Sequence, residues 1–126
     1  MSWVDGALAD FGRSLGLPDL RFPDHGVVSM QFERTGSLNF EKIDDAVLVY
    51  LVRTMDRPDA GIYASALDAC HWRHNHPFPV QAGLGGDTQL SFAVRIADAE
   101  FQRPTIERAV DFLKQMHESC SDGALA

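Results

Sequence analysis

Residues 71–79 read HWRHNHPFP, which sets His71, His74 and His76 directly behind Cys70. Imidazole and thiolate are the ligands zinc prefers, and imidazole is the side chain that exchanges protons near neutral pH. A zinc site needs about four ligands in a tetrahedral array, or three with one open position. His71 and His74 share a helical face only if a helix continues through Asn75, and His76 precedes Pro77, which drives it towards extended geometry. The three histidines therefore straddle a helix end, with the Cys70 thiol pointing elsewhere. Protonated histidines near a helix C-terminus interact favourably with its last carbonyls, which is reason enough to find them there. The run reads as a solvated helix exit with no metal assigned. A small metal-binding enzyme built on His71, His74 and His76 is the remote alternative.

The other chemically suggestive stretches resolve in the same direction. Gly83-Leu84-Gly85-Gly86 has the glycine content of a phosphate loop, but such a loop lies between a strand and a helix N-terminus, and here a second strand follows. Ser65 falls within a helical pattern, where no strained turn presents its hydroxyl as a nucleophile. Asp44 and Asp45 occupy a turn, where carboxylates bond local backbone N–H groups. Asp5, Asp10 and Asp19 read as solvated charge. No nucleophile, base and oxyanion site come together, and no cofactor is implied.

The elements that carry these residues follow from hydrophobic period. Val4, Leu8, Phe11 and Leu15 form one helical stripe with Trp3 and Ala7 beside it. Ser2 and Asp5 suit a capping box, and Gly16 and Pro18 stop the helix. From Val27 the period becomes two: Val28, Met30 and Phe32 alternate with Ser29, Gln31 and Glu33. Arg34 to Ser37 turns the chain, Leu38 and Phe40 resume the alternation, and Asp44-Asp45 turns it again into Ala46 to Val52. This third strand is apolar on both faces, with Val47, Val49 and Leu51 on one and Leu48, Tyr50 and Val52 on the other. Either it is central and buried on both sides, or its second face meets another chain. Pro58 opens a second helix expected to reach about Trp72. Val80 to Leu84 and Leu90 to Ile96 form a hairpin around Gly85-Gly86-Asp87. Pro104 opens a last helix to about Ser119. The order is α-β-β-β-α-β-β-α, an α+β domain with an antiparallel sheet and its helices mainly on one face.

Length and charge bound the function. The chain has 126 residues, 45% of them hydrophobic, enough for one core, so residues 1–120 read as a single domain and 121–126 as a flexible tail. Eleven basic against 18 acidic residues give a net charge of −7, which disfavours nucleic acid and anionic membrane surfaces as partners. No apolar run approaches the roughly 18–20 residues that span a bilayer, and the first residues lack a basic n-region, so neither an integral membrane segment nor a cleaved export signal is expected. Cys70 and Cys120 read as reduced thiols of a cytoplasmic protein.

The opening MSWVDGALADFGRSLGL resembles that of the SycN subfamily of class I type III secretion chaperones, with Met1, Ser2, Trp3, Val4, Phe11, Leu15 and Gly16 in the matching places. TGSLNFE at 35–41, the apolar VLVYLVR, and Ala82, Gly83, Gly86, Gln89 and Leu90 also look similar. The likeness runs from Met1 to about His117, and the histidine run stands outside it. It implies a chaperone subunit in the bacterial cytoplasm, peripheral at most to the inner-membrane secretion apparatus. Such a subunit binds the N-terminal segment of a YopN-like secretion gatekeeper and pairs with a second small, YscB-like chaperone; a homodimeric effector chaperone is the nearest alternative. The resemblance also implies roles for residues. Ile62, Tyr63, Leu67, Trp72 and Phe78, from the second helix to the second hairpin, are expected at the contact between chaperones, and Leu48, Tyr50 and Val52 at the client.

Overall fold

The computed structural model describes residues 3–24, 26–33, 35–55, 60–71, 74–85 and 88–125, with side chains described for all of these but 60 and 121–125. Three helices and five strands follow in the expected order: α1 (Trp3–Ser14), β1 (Val28–Phe32), β2 (Gly36–Ile43), β3 (Ala46–Thr54), α2 (Ala60–Ala69), β4 (Val80–Gly85), β5 (Gln89–Ala97) and α3 (Arg103–Leu125). A single 3₁₀ turn at Asp98–Glu100 links β5 to α3.

The helix α1 buries Val4, Leu8 and Phe11, three of the four stripe residues. The fourth, Leu15, lies beyond the helix and is 43% exposed. Gly12 explains the tight exit: a Cβ there would stand 2.7 Å from the Leu20 Cβ and 2.8 Å from the Leu17 carbonyl. Gly16, at φ +79°, supplies the left-handed residue that ends the helix. Ser2 lies outside the described residues, and the Asp5 carboxylate takes an ion pair from Lys42 Nζ at 3.0 Å.

The strands form one antiparallel sheet in the order β1-β2-β3-β5-β4, so β5 inserts between β3 and its own hairpin partner. Turn residues set the registers. Ile43 pairs with Ala46 across the Asp44-Asp45 turn. Gly36, at φ +112°, starts β2 where a Cβ would overlap the Val52 carbonyl. Along β3 the side chains alternate. Val47, Val49 and Leu51 are fully buried, in the core that the helices cover.

That core is held by aromatics. Phe40 lies edge-on to Phe11 at 5.8 Å and to Phe101 at 6.3 Å between ring centroids. Along α3, Ile106, Ala109, Leu113, Met116 and Cys120 are buried at helical spacing, packing the helix against β3, β5 and the other two helices.

Two helix ends differ from expectation. Helix α2 stops at Ala69 and does not reach Trp72, because the Cys70 N–H is shared between the Ala66 and Leu67 carbonyls and the His71 N–H turns back to the Asp68 carbonyl at 3.0 Å. Helix α3 continues past Ser119 to Leu125. Ser121 and Asp122 are tolerated in helices, and one Gly123 weakens a helix without ending it.

Candidate functional site

All three helices pack on the Val47/Val49/Leu51 side, so the other sheet face has no layer over it among the described residues. Leu48, Tyr50 and Val52 lie there, half-buried by their sheet neighbours. Register fixes what flanks them. Tyr50 stands between Asn39 and Ala93, Leu48 between Glu41 and Arg95, and Val52 between Ser37 and Ser91.

This open face has two unlike halves. Across β1 and β2 a polar network closes on itself. Asn39 is 6% exposed; its Oδ1 accepts from Ser29 Oγ at 2.6 Å, and its Nδ2 donates to the Ser37 carbonyl at 3.0 Å. Gln31 Nε2 adds a bond to Ser37 Oγ at 3.1 Å. These groups are satisfied within the chain and need no partner. Across β3, β5 and β4 the face presents Leu48, Tyr50, Val52 and Ala93 among Arg95, Ser91, Gln81 and Gln89, with Gly83 and Gly85 at the edge. Burial, aided by the Glu41 charge, pushes the Tyr50 phenol above its usual range, so it stays protonated and able to donate.

The second candidate surface is α2. Its one described buried residue is Ala66, with Ile62, Tyr63, Ala69 and Cys70 packed partly against the core, while Leu67 points outward and is 49% exposed. A helix with a single charged residue, Asp68, that leaves a leucine in solvent has more apolar surface than its own domain covers. Phe78 is half-buried, its ring 5.9 Å from that of Phe112. Leu67 is thus the expected contact residue that faces out, Ile62, Tyr63 and Phe78 serve the chain's own packing as well, and Trp72 lies outside the described residues.

The histidines occupy the α2–β4 connection. A carbonyl only accepts, so His76 Nε2 carries the proton in its 2.6 Å bond to Ala69 O, closing the end of α2. Its ring also packs 5.2 Å from Phe112. His74 Nε2 stands 3.9 Å from Asp68. Together with Leu48, Phe78 and Arg95 they border a cleft of about 530 Å³ that joins this connection to the open sheet face. Among the described residues no three His, Cys, Asp or Glu side chains gather as a metal-holding group.

The thiols are equally unlike a nucleophilic centre. Burial pushes Cys70 up to about 11, with the Cys120 thiol adding to the effect, and burial raises Cys120 as well. An activated cysteine is shifted the opposite way. On the helix side a further groove of about 320 Å³ is floored by Phe11, Phe32 and Val110 and edged by Leu15, Asp111 and Lys114. The sequence stripe counted Leu15 as core and so missed this groove; the signal was Gly16, which ends the helix before Leu15 can turn inward.

Residues 3–121 match the family described as "Type III secretory system chaperone SycN". The chain belongs to this family. It is 23% identical over 121 residues to the chaperone protein SycN of Yersinia enterocolitica, a match covering 94% of this chain and 96% of that one. Among solved structures the fold is similar to one from the ExsC–ExsE complex, with a TM-score of 0.75, 21% identity, and coverage of 91% of this chain and 88% of the other. It is also similar to one from the HopA1–SchA chaperone–effector complex, with a TM-score of 0.70, 21% identity, and coverage of 95% and 94%. No described helix is long and apolar enough to cross a membrane.

Proposed function

We propose that this SycN-family chain is a secretion chaperone subunit that holds the N-terminal segment of a YopN-like gatekeeper in a secretion-competent state, paired with a second small, YscB-like chaperone. The observation that carries this reading is the unlayered half of the sheet bearing Leu48, Tyr50 and Val52. A client segment laid there gains apolar burial, and its backbone can pair along a free sheet edge. The name of one solved structure of similar fold supports it, since it describes a chaperone–effector complex. On this reading residues 1–120 act as one binding module in the cytoplasm, and the work is binding without a reaction. The partner chaperone would cover Leu67 on α2 together with Ile62, Tyr63, Trp72 and Phe78.

Co-expression with the gatekeeper and small-chaperone candidates of the same secretion system, followed by sedimentation, tests both parts. The expected result is a three-chain complex, which Tyr50→Asp weakens at the client while leaving the thermal transition in place. A stable homodimer of the chain alone that captures no gatekeeper would replace this reading with that of a homodimeric effector chaperone. A collapsed thermal transition for Tyr50→Asp would return Tyr50 to the core.

A further inference from the structure

We draw no further inference here: the strongest candidate, the cleft of about 530 Å³ where the histidines of the α2–β4 connection meet Arg95 on the open sheet face, has its Arg95 charge answered by Asp45 and its His74 by Asp68, and nothing in the structure shows what covers it.

Discussion

His117 reaches from α3 to the central strand and donates from Nε2 to the Leu51 carbonyl at 2.7 Å, while its ring stands edge-on to Phe92 at 4.8 Å. The residue is 2% exposed. Burial lowers it from 6.5 to about 4, the bond to Leu51 opposing and Arg53 assisting. Between those values the unfolded chain binds a proton that the folded chain refuses. The contribution is therefore fully present above about pH 6.5 and is lost as pH falls towards 4, by about 3 kcal/mol in all. Urea unfolding at pH 7.5 and pH 4.5 should show this loss in the parent, and a smaller loss in His117→Gln. Equal losses in the two proteins would remove His117 as the cause.

Gly36 and Val52 meet even more tightly. With φ at +112° and a Val52 carbonyl where a Cβ would go, Gly36→Ala combines a disfavoured backbone with a backbone clash. Gly26 has a similar φ of +106° but open space around it. Gly26→Ala should cost about 1–2 kcal/mol and Gly36→Ala clearly more, about 3 kcal/mol or above, read as the difference in urea midpoints at constant slope. Equal costs would mean that the carbonyl contact relaxes away.

How far the sequence could be read depends on what each residue reports. Element order was legible because period is local: Leu90, Phe92, Val94 and Ile96 can be nothing but one face of a strand. The two-faced apolar strand was legible for the same reason, and its open Leu48/Tyr50/Val52 side emerges half-buried. The insertion of β5 beside β3 was not, since strand order depends on contacts across some forty residues. The polar half of the open face also escaped notice, because Ser29 and Asn39 lie ten residues apart and only pairing joins them. Trp3 reads as lying beside the α1 stripe, and at about 100° per residue it stands about a quarter-turn from Val4, on the flank with Asp10. The end of α2 depended on His76, seven residues past the carbonyl it closes.

Neighbours on β3 should separate folding from binding. Leu51 is fully buried and Val52 is half-buried on the open face. Leu51→Ala should cost about 2–5 kcal/mol through a lost side chain and the cavity it leaves. Val52→Ser should cost about 1 kcal/mol or less yet weaken client capture, since it removes apolar area only where the partner would lie. Denaturation and capture measured on the same two proteins check this. A Val52→Ser protein as unstable as Leu51→Ala would make strand β3 core on both sides.

The Cys70 thiol gives a kinetic reading of the α2–α3 contact. Only thiolate alkylates, and burial with Cys120 nearby pushes Cys70 from 9.0 to about 11. At pH 8 that leaves about a hundredfold less thiolate than the ordinary value would, so Cys70 should react with iodoacetamide about a hundredfold more slowly in the native protein than in urea. Cys120, 3% exposed, should be slower still, because the reagent must wait for α3 to open. Mass spectrometry of timed digests resolves the two sites. If Cys70 alone reacts at the unfolded rate, the start of the α2–β4 connection opens independently of the core. If both do, α2 and α3 separate together, and the surface offered to a partner by Leu67 is not held by Ala66 as the packing requires.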